Sequence, residues 1–175
     1  MKHRYLSLLT ILCIALSCSH QKYEKTVSKV DRDRFMGDWY VQAGRFTFLE
    51  SDPYNSIESY SWNEKEGRID VDFRYNKGKL DGPLKKYPQK AWIENKTTNA
   101  HWKVQPIWPI KADYLIIALD PDYQWTAIGV PDQKYLWVMS RDPQFSKEKV
   151  GEVMKELDRL GYSTKDIQYV EHSKK

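Results

Sequence analysis

The sequence predicts an all-β domain, an eight-stranded antiparallel up-and-down barrel with one C-terminal α-helix packed outside it and a short final strand. Aromatic residues fill 14% of the 175 positions, with seven Trp and twelve Tyr, and such side chains fit a pleated, half-buried surface. Short segments with period-two alternation recur between turn residues, whereas only residues 147–160 carry a convincing helical period. The first and last of those strands hold Trp39 and Arg141. A guanidinium both stacks on an indole and donates to nearby carbonyls, so this pair is suited to lock first strand to last across a barrel floor.

Residues 1–17 read as a secretory signal, with Lys2, His3 and Arg4 ahead of an apolar run too short and wrongly flanked to span a membrane. Ala15-Leu16-Ser17-Cys18 resembles the lipobox of bacterial lipoproteins, in which the Cys is acylated and becomes the new N-terminus, with Ala15 and Leu16 in swapped order. Acylation of Cys18 and plain signal cleavage are the two outcomes this stretch allows. With Ser rather than Asp at position 19, an acylated chain is expected at the outer membrane, lipid-anchored and facing the periplasm. Residues 18–31 are expected to be its polar tether, and residues 32–175 the barrel domain. Cys13 lies inside the signal and no Cys follows Cys18, so the folded domain has neither disulfide nor thiol nucleophile. Formal charge falls from +4 to +2 once Lys2 and Arg4 leave with the signal, which argues against a nucleic-acid partner.

Residues 30–36 suit one helical turn capping the closed end, and residues 37–46 the first strand. The loop through residues 49–54, with Asp52-Pro53 as turn chemistry, is a candidate lid. Residues 55–62 make the second strand, 63–67 a hairpin connection ending in Gly, and 68–75 the third strand. In that strand Ile69, Val71, Phe73 and Tyr75 alternate with Asp70, Asp72 and Arg74, so one face is buried and one is wet. Gly78, Gly82, Pro83 and Pro88 predict a loop over 76–88. Strands follow at 89–94, 100–106, 113–119, 124–130 and 135–141. The connection Ile107-Trp108-Pro109-Ile110 is unusually apolar, and such a loop is either buried against the barrel or exposed to something greasy. Residues 113–119 are apolar on both faces, so Tyr114, Ile116 and Ala118 are expected on one and Leu115, Ile117 and Leu119 on the other. Ser146 caps the helix, Val150, Val153, Met154, Leu157 and Leu160 share one face of it, and Gly161 stands at its exit. A short last strand is expected at 166–170.

Alternation places Trp39, Trp137, Met139 and Arg141 inward together with Tyr60, Ile69, Val71, Phe73, Trp102, Val104, Tyr114 and Ile116. Aromatic width combined with aliphatic walls suits an apolar ligand, although an eight-stranded barrel can equally be filled by its own side chains. Tyr60, Tyr114 and Trp137 pair apolar surface with a hydrogen-bonding tip. Glu58 alternates with Tyr60 and is expected inward, where a carboxylate needs a cation or the open rim. A choline or ethanolamine headgroup would supply the first, solvent at the mouth the second. The expected ligand-binding set is therefore Glu58, Tyr60, Val71, Phe73, Trp102, Val104, Tyr114, Ile116, Trp137 and Met139.

Gly37-Asp38-Trp39-Tyr40, Tyr60-Ser61, the Asp122-Tyr123 turn, Tyr114 to Asp120 (YLIIALD) and Tyr135 to Arg141 (YLWVMSR) resemble the signature regions of the lipocalins, in order and rough spacing. The likeness runs to the bacterial lipocalin branch of outer-membrane lipoproteins, itself similar to apolipoprotein D, and covers residues 34–170. It implies Gly37, Trp39, Asp122, Tyr123 and Arg141 as structural signature residues, and a cup for fatty acids or lysophospholipids. One residue is inserted around Gly44 relative to that branch, the mark of a β-bulge, and the facing of Ala43, Arg45 and Phe46 is left unassigned. No enzyme is expected: the thiol chemistry of enzymatic lipocalin relatives lacks its Cys, and His20, His101 and His172 assemble no triad or metal site. No cofactor is called for. The alternative reading is a binding module for haem or a small aromatic metabolite, with Tyr60 or Tyr114 standing in as haem ligand. The sequence leaves a homodimer open.

Overall fold

The computed structural model describes residues 22–174, so the expected signal and Cys18 lie outside the described residues. A one-turn helix α1 (Arg32–Phe35) precedes eight barrel strands: β1 (Gly37–Arg45), β2 (Pro53–Asn63), β3 (Arg68–Lys77), β4 (Leu84–Ile93), β5 (His101–Ile107), β6 (Ile110–Leu119), β7 (Trp125–Gly129) and β8 (Leu136–Ser140). Helix α2 (Lys147–Leu160) and a two-residue strand β9 (Gln168–Tyr169) follow. Each strand pairs antiparallel with the next, and β1 closes the barrel by pairing with both β2 and β8. Its first half pairs with β2, from Gly37 opposite Tyr60 to Tyr40 opposite Ile57, and its second half with β8. Strand β9 adds to the outside of β1 at Ala43 and Gly44.

This topology gives the barrel two unlike ends. The turns β2–β3, β4–β5 and β6–β7 gather with α1 at the closed end, and the loops β1–β2, β3–β4, β5–β6 and β7–β8 surround the open one. Asp31 caps α1 by accepting from the N–H groups of Asp33 and Arg34. The helix drives Phe35, fully buried, into the barrel as a plug. Phe35 meets Trp39 at 5.0 Å and Trp102 at 5.2 Å between ring centroids, and Trp102 stacks on Tyr114 at 5.3 Å.

Arg141 closes the structure as its chemistry predicts. Its guanidinium lies 3.8 Å over the Trp39 ring and donates to the carbonyls of Arg34, Phe35, Met36 and Asp38 at 2.7–3.2 Å. The Trp39 indole donates to Phe35 O at 2.8 Å. Gly37 has a φ of +93°, and a Cβ there would stand 3.4 Å from the guanidinium, so glycine precedes Trp39 for a backbone reason. The Asp122-Tyr123 turn joins the same cluster: the Tyr123 hydroxyl accepts from Asp31 N at 2.8 Å, and Arg34 lies 4.1 Å over its ring. Asp120, rather than Asp122, holds that turn, its carboxylate accepting from the N–H groups of Asp122 and Gln124.

A second core lies between barrel and helix. Val150, Val153, Met154 and Leu157 of α2 pack on Ala43, Leu115, Ile117, Leu136 and Val138. Ser146 caps the helix by accepting from Lys149 N, and the amphipathic face read from the sequence is the face that is buried.

Two expectations are corrected. Strand β4 starts at Leu84, inside the predicted loop 76–88, and Pro88 sits within it. Strand β5 covers only Lys90 to Ile93, so Pro88 stands on a free edge where its missing N–H costs no ladder bond. Alternation in β6 breaks at a register shift between Ile116 and Ala118, which turns Ala118 toward the helix and Leu119 toward the interior. In β1 the shift falls between Val41 and Ala43; Val41 faces the interior while Ala43 faces the helix. Gly44 follows it because a Cβ there would meet Leu136 O at 2.0 Å. Within the expected tether 18–31, Tyr23 is buried in the core beneath α2 and Val30 in the closed-end core with Phe35 and Trp39.

Arg141→Lys keeps the charge but loses the flat stack and most of the carbonyl bonds. Urea unfolding is expected to show a loss of about 2 kcal/mol, the sum of a desolvated cation–π contact and charged hydrogen bonds; unchanged stability would contradict this account of closure.

Candidate functional site

Above the ring plug the barrel encloses a cavity of about 210 Å³ that opens at the β1–β2 and β5–β6 loops. Its walls are Val71 and Phe73 from β3, Val104 and Pro106 from β5, Ala112 from β6, Val130, Tyr135 and Trp137. Phe48, Leu49, Ile107 and Ile110 form its rim, and Glu50, Glu58, Tyr60 and Tyr114 are among its polar lining residues.

Seven of the ten residues expected at a ligand line this cavity: Glu58, Tyr60, Val71, Phe73, Val104, Tyr114 and Trp137. Trp102, Ile116 and Met139 do not. All three are fully buried in the closed-end core with Phe35 and Trp39. Alternation reports which face a residue occupies but not its height in the barrel, and these three lie below the floor. Sequence reasoning missed Phe48 and Glu50. Glu50 lies in the loop 49–54 marked as a candidate lid and Phe48 just before it; the Tyr75 hydroxyl donates to Leu49 O at 2.7 Å.

The polar groups form two clusters. Glu50 reaches back into the barrel and is well supplied with donors, accepting from Thr47 N at 3.1 Å, Thr47 Oγ1 at 2.9 Å and Trp137 Nε1 at 2.8 Å. Burial raises its pKa, and these bonds pull against that rise. Glu58 is buried with a single partner, the Tyr60 hydroxyl, which donates to it. The Tyr114 and Tyr60 hydroxyls are 2.5 Å apart. With the Tyr60 proton directed at Glu58, Tyr114 is the donor of that pair. Burial, opposed by the Tyr60 bond and aided by the Glu50 charge, raises the Glu58 pKa to about 7. Burial likewise holds both phenols well above their ordinary range. Glu58 thus meets neither a cation nor the open rim.

The histidines stand apart from the cavity. His101 faces Asp113 at 2.7 Å on the outer wall, and His172 bonds Val41 O at 2.8 Å.

Consistent with a plugged barrel, one external helix, an Arg141–Trp39 lock and an apolar cup, the chain matches the family model of the lipocalin-like domain over residues 30–172. The chain is a lipocalin. It is 30% identical to temperature-induced lipocalin-1 of Arabidopsis thaliana over 82% of this chain and 80% of that protein. It is 28% identical to the outer membrane lipoprotein Blc of Escherichia coli K12 over 93% and 92%. Among solved structures it resembles insecticyanin of the tobacco hornworm Manduca sexta, with a TM-score of 0.65 at 19% identity over 86% of this chain and 85% of that one. It also resembles H1 crustacyanin of the lobster Homarus americanus, with a TM-score of 0.61 at 13% identity over 87% and 91%. These two likenesses concern the fold. Lipocalins are generally binding and transport proteins for hydrophobic small ligands, and this chain has the cup for one.

Because the folded state holds Glu58 near 7 and the unfolded chain near the ordinary 4.5, the folded state binds the extra proton between them. Stability from this group is therefore complete below about pH 4.5 and is lost as pH rises through 7. Glu58→Gln, which mimics the protonated acid, is expected to be the more stable protein at pH 8 by about 3 kcal/mol relative to its difference from wild type at pH 4.5. Urea midpoints of both proteins across that range check it, and parallel curves would mean that Glu58 is not buried as a charge.

Proposed function

We propose that this lipocalin is anchored in the cell envelope through acylated Cys18, at the outer membrane, and binds the acyl chain of a fatty acid or lysophospholipid for carriage or storage. The observation that carries the proposal is continuity: one cavity, mostly apolar in its lining, runs from the exposed rim at Phe48, Ile107 and Ile110 to the Tyr60–Tyr114–Glu58 cluster. At about 210 Å³ the cavity lies below the ~300–1,000 Å³ of common ligand sites, which suits one narrow chain better than a broad macrocycle such as haem. Each methylene that it shields contributes about 0.8 kcal/mol. The tail enters first, because a carboxylate or phosphate brought down to Glu50 and Glu58 would meet two buried acids. No covalent chemistry is part of the reading. The anchor reading rests on the Cys18 motif and on the 28% identity, over nearly the full length, to an outer membrane lipoprotein.

Native mass spectrometry of the protein purified from cells, followed by Trp fluorescence titration with oleate and with lysophosphatidylethanolamine, tests the ligand. Saturable 1:1 binding is expected, with Trp137→Ala weakening it about tenfold, or 1.4 kcal/mol. A tail laid against Glu58 displaces water from it, so affinity is expected to fall as pH rises past 7 in wild type but not in Glu58→Gln. Absence of bound lipid together with absence of saturation would discard the acyl-chain reading.

The anchor is tested separately. Wild type is expected to fractionate with outer membranes and to incorporate labelled palmitate, whereas Cys18→Ser is expected in the soluble periplasmic fraction without label. Equal fractionation of both proteins would count against it.

A further inference from the structure

We infer that the open end of the barrel is a membrane-docking face, seated on the same bilayer that holds the acyl chains of Cys18, so that ligand passes between bilayer and cavity without crossing water. This rests on the anchor reading above. Six of the seven large hydrophobic side chains exposed among the described residues stand at the open end, Phe48, Leu80 and Trp108 on the β1–β2, β3–β4 and β5–β6 connections and Leu84, Ile107 and Ile110 at the strand ends beside them. Phe48 and Trp108 are each 81% exposed. A soluble domain that strands two large side chains at one rim, with none at the other, has a greasy partner there. Phe48, Ile107 and Ile110 also line the cavity, so the outward patch and the inner wall form one surface.

The chain leading to the anchor points to the bilayer as that partner. Residues 23–30 form a strap down the outer wall. Tyr23 N donates to Pro131 O at 2.7 Å in the open-end β7–β8 loop, Val27 N to Ile116 O at 2.9 Å, and Val30 N to Thr98 O at 2.7 Å in the closed-end β4–β5 turn. Tyr23 is buried and meets Tyr162 edge-on at 4.9 Å. The strap therefore leaves the fold at the open end, and Cys18 stands only five residues further out. Five residues reach at most about 17 Å, whereas ten strand residues tilted near 40° give the barrel a height of roughly 25 Å. A membrane beneath the closed end is out of reach of this anchor. Charge agrees: Lys77, Lys85, Lys86 and Lys134 on the open-end connections and strand ends outnumber Asp52 and Asp132, while Asp81 is paired with Lys79 at 3.3 Å, a balance that suits anionic headgroups.

The full acylated chain is reconstituted in phosphatidylethanolamine–phosphatidylglycerol vesicles carrying a doxyl-quencher lipid. One polarity-sensitive thiol probe is placed at the open end in Trp108→Cys or at the closed end in Glu64→Cys. Cys13 leaves with the signal and Cys18 is blocked by its thioether, so each protein carries one label. The probe at 108 is expected to shift to the blue and lose most of its emission to the quencher, and the probe at 64 to change in neither respect. Phe48→Cys repeats the open-end measurement on a second loop in case Trp108→Cys fails to fold. An open-end probe that stays in water, or a quenched closed-end probe, overturns the docking proposal. The intact mass of the same sample separates the two failures. Missing acyl mass on Cys18 removes the anchor reading and this proposal with it, whereas a correct acyl mass with an unquenched open-end probe removes the docking proposal alone.

Discussion

Arg141 stacks on Trp39 and ties down four carbonyls of the segment entering β1, and the rest of the structure depends on that contact. Segments a hundred residues apart meet there, because the guanidinium ends β8 while its acceptors precede and begin β1. Only a planar cation with several donors can satisfy an indole face and divergent carbonyls at once. With α1 held by this contact from one side and by Tyr123 from another, Phe35 stays in the barrel and seals the floor. The cavity therefore has one entrance, and its depth is set where the Trp102–Tyr114 stack begins.

Much of this was legible in local sequence. Trp39 with Arg141 predicted closure, the strict alternation from Ile69 to Tyr75 located β3 and its buried face, and Val150, Val153, Met154 and Leu157 located the external helix. The misses have physical causes. Register shifts beside Gln42 and Ile117 reverse the face on which later residues fall, and a period-two rule carried across them assigns Ala118 to the wrong side. Pro88 breaks a central strand but is harmless on an edge, and edge status is a property of partners rather than of the residue. Trp102, Ile116 and Met139 face inward as read, yet whether an inward residue meets ligand or plug depends on α1, which local alternation does not see. Glu50 belongs to the site through Trp137, 87 positions away, a contact that no local pattern encodes.

Glu58 is the costly element of the cavity. Glu50 has three donors to offset its burial, whereas Glu58 has one, and Tyr60 is itself buried with its hydroxyl shared between Glu58 and Tyr114. An apolar residue of similar volume would remove the penalty of burying this carboxylate. The strain of keeping it falls on the interior of a barrel whose other demands are met by rings and methyl groups. The raised pKa of Glu58 puts a change of protonation state inside an otherwise apolar cup.

The two ends of the barrel divide the work. At the floor, stacked rings and charge-assisted bonds give rigidity: Arg141, Tyr123 and the Asp31 cap each fix backbone that would otherwise fray. At the mouth, β1–β2 is held by the Glu50 carboxylate and the Tyr75 hydroxyl, and the β5–β6 hairpin presents Trp108 on a two-residue turn with the ring in solvent. Loops of low local stability are where entry and release must occur, and here they are also the loops that expose apolar side chains. The strap of residues 23–30 links these two properties. By pairing Tyr23 with the open-end loop and Val30 with the closed-end turn, it brings the chain onto the wall at the open end and carries it to the floor, so the segment that enters α1 is fixed by backbone pairing outside the barrel rather than by the cavity itself.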